Sequence, residues 1–186
     1  MSNLRLIVPV VQLRSQYLEM YHDWGTTGER VVPMSLQRDP TDFGAMVNNL
    51  WNASQGIGLP AAFVPCSTYW MVNEADKILG VVDIRHRLTP TLRQWGGHIG
   101  YGIRPGERRK GYATQLLQLA LDRAQTLGIE KVLITCDKEN IGSAKVIMKN
   151  GGKLEDEAMV DGVIIQRYWI DLSQGHGMGN AQNGRG

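Results

Sequence analysis

The chain has 186 residues, enough for one domain with a sizeable core. Its hydrophobic share of 42%, charged share of 20% and formal net charge of +2 describe an ordinary globular protein. The charge is too balanced to argue for nucleic acid as a partner, so any basic patch has to be local. No apolar run reaches the roughly 20 residues of a membrane span. The opening MSNLRLIVPVVQLRSQY lacks a basic lead and a small-residue cleavage site, which argues against secretion. Cys66 and Cys136 lie far apart and neither sits in a CxxC pair, so no zinc or redox signature is present. Both read as reduced thiols of a cytoplasmic protein, with no metal implied.

In chain order, Leu4–Val8 predicts a strand. Val11–Trp24 predicts a helix, with Leu13, Tyr17, Met20, Tyr21 and Trp24 spaced by three and four. Thr41–Trp51 predicts a second helix. Ser54–Pro65 is a Gly- and Pro-rich loop. Three strands follow, at Thr68–Asn73, Ile78–Leu88 and His98–Arg104, and their short connections suggest antiparallel pairing. Ala113–Leu127 carries the clearest helical stripe, from Leu116 to Leu127, and Gly128 stops it. Lys131–Cys136 is a buried type of strand, and Ser143–Asn150 is a short helix ended by Gly151 and Gly152. Lys153–Glu157 and Val163–Asp171 form a hairpin about Asp161-Gly162. The order β, α, α, βββ, α, β, α, ββ gives an α/β (α+β) fold. Its central sheet is mixed but mostly antiparallel, with helices on both faces. The domain is expected over 1–172. The Gly-rich stretch 173–186 reads as a disordered tail with little to bury, and its His176 is isolated.

The chemistry concentrates in RPGERRKGYAT, residues 104–114, between a strand and the strongest helix. A helix N-terminus offers unpaired N–H groups and the positive end of the helix dipole, and glycine lets a ligand approach the backbone. The stretch therefore reads as an anion site. Gly106 and Gly111 have the spacing of a Walker loop, but Tyr112 and Ala113 stand where Lys and Ser or Thr would be needed. The Gly-x-Gly-x-x-Gly dinucleotide fingerprint is missing too.

What remains is Arg108-x-x-Gly111-x-Ala113. It resembles the pyrophosphate loop of the GCN5-related N-acetyltransferase (GNAT) family, Gln/Arg-x-x-Gly-x-Gly/Ala, on the same strand-to-helix junction. Arg109 departs from the glycine common at its position. Asn140-Ile141-Gly142-Ser143 resembles the family's Asn-x-x-Ser/Ala segment. The likeness runs from about Thr68 to Ile170.

The resemblance implies acetyl-CoA as cosubstrate and an amine acceptor, with no nucleic acid or membrane partner. Backbone N–H groups of Arg109, Lys110, Gly111, Tyr112, Ala113 and Thr114 would hold the pyrophosphate, with local positive potential from Arg108, Arg109 and Lys110. The strand edge at Tyr101 and Ile103 would pair with the pantetheine arm, in a gap opening toward Lys131–Cys136. Asn140 and Ser143 would contact the cofactor. The reaction would be direct transfer of acetyl to a primary amine in a ternary complex. The alternative is a non-catalytic acyl-CoA sensor on the same fold, and the absence of a helix tyrosine keeps it open: Ile147 stands where many members have that residue. His98 is a candidate general base, and a packed strand histidine is the plainer reading. Cys136, Tyr101 and Tyr168 are candidate proton donors by location. His86 and Arg85 could face the acceptor, whose site is expected between the 54–65 loop and the hairpins. Gly97 is expected to shape that pocket. The family also implies that the last hairpin can pair in a homodimer.

Overall fold

The computed structural model describes residues 3–173. Almost all of the expected tail therefore lies outside the described residues. The first strand, β1, is short, at Arg5–Ile7. The first helical stripe divides into a 3-10 turn, Val11–Leu13, and the helix α1, Arg14–Gly25. A second helix, α2, spans Phe43–Gln55, with the Asp42 carboxylate accepting the Ala45 N–H as its cap. It starts two residues later and ends four later than its sequence pattern suggests. Asp42 supplies the start, and Gly56, in a left-handed conformation, supplies the stop.

Strands β2 (Cys66–Val72), β3 (Ile78–Arg85) and β4 (Ile99–Ile103) follow. The β3–β4 connection carries a short helix, α3 (Pro90–Gln94), where the sequence pattern shows only a connection; Thr89 caps it and Pro90 opens it. Then come α4 (Tyr112–Thr126), β5 (Lys131–Asp137), α5 (Ile141–Lys149), β6 (Lys153–Val160) and β7 (Val163–Asp171).

The strands make two antiparallel sheets, ordered β1-β2-β3-β4 and β5-β7-β6. The faces of β3 explain the layering. Leu79, Val82 and Ile84 pack under Leu116, Leu117, Ala120 and Leu121 of α4, and this core continues into β5, α5 and β7. Val81 and Ile78 face the other way, against Tyr17, Met20 and Trp24 of α1 and Phe43, Met46 and Leu50 of α2. Each fully buried Leu contributes about 1.5–3 kcal/mol relative to exposure. Two helices on each face clamp the sheets from both sides.

Where the sheets meet, the residues leading into β4 bond to β5, with the Gly96 N–H donating to Thr135 Oγ1 at 3.0 Å. The His98 N–H donates to the Leu133 carbonyl at 2.7 Å, and the Leu133 N–H donates back to His98 Nδ1 at 2.9 Å. A ring nitrogen takes the place of a backbone carbonyl, so the ladder stops. Beyond that point β4 and β5 separate into two sheets, with a gap between them as the resemblance implied.

Candidate functional site

One end of the gap is the loop after β4. Arg104 is buried there, with Nε 2.5 Å from an Asp23 oxygen, so the loop is tied to α1. A 3-10 turn, Pro105–Glu107, leads to Arg109 at φ 62° and Gly111 at φ 82°, both left-handed. Glycine adopts that conformation freely, whereas for another residue it costs roughly 1–2 kcal/mol. Arg109 is therefore a strained position directly beside the motif. A Cβ at Gly111 would meet no protein atom within 4 Å. Open space lies above it, and a ligand could use that space.

The helix behind the loop starts without a side-chain cap. Asp42, Thr89 and Asn140 cap α2, α3 and α5 with side chains, but Gly111 gives α4 no such cap. The first-turn N–H groups of Tyr112, Ala113 and Thr114 have no acceptor within the helix, by its geometry. The loop's charges are arranged differently from one another. Lys110 and Lys77 both bind Glu107, at 2.8 and 2.6 Å, which holds that carboxyl below the usual carboxylate range. Arg108 pairs with Glu29 at 2.7 Å and lies over the Trp24 ring. Arg109 makes no ion pair among the described residues and is exposed.

Three protic side chains, Tyr101, Ser143 and Cys136, gather beside the gap. The Tyr101 hydroxyl and Ser143 Oγ are 2.9 Å apart. Ser143 also reaches the Cys136 thiol. Burial is the main influence on both neighbours: the Tyr101 phenol is pushed up to about 12 and the Cys136 thiol up to about 11. Both stay protonated at neutral pH. Tyr168 packs in the adjoining core and donates to Gln166 Oε1 at 2.7 Å; burial raises it as well. Ile147 is fully buried in the same core, and its backbone and methyl crowd Gly152 so closely that a Cβ there would clash.

Among the expected site residues, His98 stands at the β4–β5 junction. It is buried, its Nδ1 is an acceptor, and burial, with Arg93 and Arg85 nearby, brings its pKa down to about 4. The imidazole is neutral, but its Nδ1 is engaged by backbone. Asn140 accepts the Ser143 N–H at 3.0 Å, so its carbonyl oxygen is occupied in capping α5. Gly97 does not border open space: a Cβ there would lie 2.5 Å from the Leu133 carbonyl. Its lack of a side chain lets the two sheets touch. Trp70 is core, Trp169 lies edge-on to His98, and Arg167 is paired with Asp156. His86 bonds Ser67 Oγ at 2.8 Å, and burial lowers its pKa.

On the α1–α2 face, sequence reasoning missed Asp83. It sits in a strand of apolar residues, with no motif around it to mark it. The structure buries its carboxylate, which accepts the Ser35 N–H at 3.0 Å and the Thr68 hydroxyl at 2.8 Å. Burial raises its pKa.

Solved structures of the same fold include a chimera of the Vibrio cholerae spermidine N-acetyltransferase SpeG and hSSAT. It is 15% identical with a TM-score of 0.62, and the match covers 92% of this chain and 96% of that one. A second is RimL, a ribosomal L7/L12 alpha-N-protein acetyltransferase in complex with coenzyme A. It is 16% identical with a TM-score of 0.67, over 91% and 94% of the two chains. A third is the microcin C7 self-immunity acetyltransferase MccE with acetyl-CoA and AMP. It is 16% identical with a TM-score of 0.63, over 90% and 92%. No curated protein sequence matches the chain significantly. The profile described as an acetyltransferase (GNAT) domain matches residues 10–153. With that match spanning most of its length, the chain belongs to the GNAT acetyltransferase family.

Proposed function

We propose that the protein is an N-acetyltransferase that moves the acetyl group of acetyl-CoA directly to a primary amine within a ternary complex. The observation that carries the reading is the gap between β4 and β5, which ends at an uncapped helix N-terminus behind Gly111. Two structural neighbours hold coenzyme A or acetyl-CoA, and the spermidine and ribosomal-protein enzymes acetylate amines.

In this reading the backbone from Arg109 to Thr114 holds the pyrophosphate. The β4 edge at Tyr101 and Ile103 pairs with the pantetheine arm, and Ser143 lies alongside it. Asn140 supports the site by capping α5. The amine attacks the thioester carbonyl as its free base, a C–N bond forms, the C–S bond breaks, the coenzyme leaves as its thiolate, and the proton lost by the nitrogen passes to solvent water. Tyr101, linked to Ser143, donates a hydrogen bond to the leaving sulfur in place of the helix tyrosine that Ile147 replaces. Cys136 lines the same space as a neutral thiol, and Tyr168 supports it from the core. His98 joins the sheets and sets where the gap begins; its low pKa and engaged Nδ1 suit that role better than proton removal. The two free cysteines suit a reducing, cytoplasmic compartment.

The test is a calorimetric titration of acetyl-CoA into wild type and Gly111→Val, with ATP and NAD as controls. We expect micromolar wild-type binding, a loss of at least tenfold in the variant, and silent controls. A folded wild type that binds no acetyl-CoA overturns the reading. Binding without turnover on any amine would leave the acyl-CoA sensor.

A further inference from the structure

A cavity of about 470 Å³ opens on the α1–α2 face, within the range of small-molecule sites. Its walls are apolar, built from Leu50, Ala53, Leu59, Phe63, Leu92 and Trp95. Phe63 and Trp95 remain 51% and 40% exposed, large apolar surfaces left to the cavity mouth. Asp83, only 3% exposed, also lines it. We propose that this cavity is the acceptor site, and that Asp83 receives the ammonium group of a primary monoamine with an apolar body.

Three observations carry the assignment. The first is that the carboxylate has no direct ion-pair partner, with Arg85 acting on it only from a distance. Asp83 makes no ion pair among the described residues. Its two hydrogen bonds, from Ser35 and Thr68, leave about half of its lone-pair capacity open. A buried carboxylate of this kind is stabilised when a cation joins it. Burial holds its pKa above the usual range, so its charge becomes favourable when an ammonium arrives.

The second is position. Asp83 on β3 lies directly across from Gly100 on β4. Gly100 turns its absent side chain toward Pro33 and Arg85, on the cavity's side of the sheet. An amine at Asp83 is therefore one strand away from the β4 backbone along which the acetyl group is proposed to lie.

The third is the remaining charge. Arg85 and Arg38 are the other ionisable side chains on the wall besides Cys66, and both arginines are cationic. Arg85 is fixed by the carbonyls of Gly96 and Gly97, at 3.0 and 3.2 Å, and Arg38 is exposed. Two cations repel any ammonium that is not paired with Asp83, so one ammonium is accommodated at the carboxylate and a polyamine, with a second, is a poor fit. A single ammonium on an aromatic or aliphatic body satisfies both the floor and the walls.

The assignment rests on the acetyl-transfer reading only for what happens to the bound amine. Its test therefore begins with binding. Phenethylamine is titrated by calorimetry into the CoA-saturated and the coenzyme-free protein, with 2-phenylethanol and spermidine for comparison. We expect phenethylamine to bind, Asp83→Asn to weaken it by about tenfold or more, and the alcohol to be indifferent to that substitution. Ala62→Trp, on the exposed loop at the cavity wall, should also block the amine and serves as a second variant if Asp83→Asn folds poorly. Acetyl-CoA affinity should be unchanged in both. Equal phenethylamine affinity in wild type and both variants, or tighter binding of spermidine, overturns the proposal. Asp83-dependent amine binding without any acetyl-CoA binding would keep this site and remove acetyl transfer. The converse would remove this site alone.

Discussion

Tyr101 and His98 lie three residues apart and face different tasks. The Tyr101 phenol is protonated, partnered by Ser143 and close to Cys136. If it donates to the leaving sulfur, Tyr101→Phe should lower kcat by about 100-fold, within the usual range for a proton-handling group. Acetyl-CoA affinity should hold, because the ring still packs against the core. Steady-state kinetics with a direct binding measurement separates the two. His98 instead makes a statement about stability. Its folded pKa of about 4 lies below its ordinary 6.5, so the folded state resists protonation. The stability it contributes is complete above pH 6.5 and is lost as pH falls through 4. Asp83 has the opposite sign: its raised pKa makes its contribution full below the ordinary carboxyl pKa and smaller as pH rises. Melting temperature against pH should therefore drop from pH 6.5 to 4, and His98→Asn should flatten that drop. An unchanged slope would show that other groups carry it.

The helix starts operate at the scale of elements. Asn140 and Gly111 both precede helices, yet one caps its helix and the other leaves the first turn bare. Asn140→Ala should cost about 1 kcal/mol of stability, as cap removal generally does. Asn140→Asp should recover most of it, since a carboxylate can accept the same N–H. Chemical denaturation reads both. A loss of acetyl-CoA affinity far beyond what the stability change explains would mean that Asn140 also touches the cofactor. The Asn-x-x-Ser pattern was legible in the sequence, but its meaning was not. The spacing that reads as a cofactor contact is also the spacing of a cap, because Ser143 is three residues after Asn140 in either case.

At the scale of the molecule, the two sheets are joined where Gly97 and His98 meet Leu133. Gly97→Val would force a Cβ to within 2.5 Å of the Leu133 carbonyl at a backbone φ of 59°. Overpacking and left-handed strain together should cost about 3 kcal/mol. That corresponds to a fall in melting temperature of about 6–12 °C for a chain of this size. Activity at low temperature should suffer as well, since the junction sets where the gap opens. A variant of unchanged stability would mean that the junction can yield.

The sequence by itself determined the order of the strands and the longer helices, because period-two and period-3.6 patterns survive without knowledge of neighbours. It also marked the Gly-rich turn before α4 as a candidate anion loop, because glycine placement and helix onset are local. It pointed to Gly97 but as part of the acceptor pocket, not as the place where the sheets touch, since Leu133 lies 36 positions away. Tertiary structure alone decided three things. It fixed where the two sheets join and the gap begins, by giving a backbone position to the His98 ring. It brought Tyr101, Cys136 and Ser143 to one gap from three elements. It also buried Asp83 in a strand whose sequence reads as plain core, beneath a cavity walled by α2, the 54–65 loop and α3. Each of these depends on contacts between residues distant in the chain, and periodicity and spacing carry no record of those.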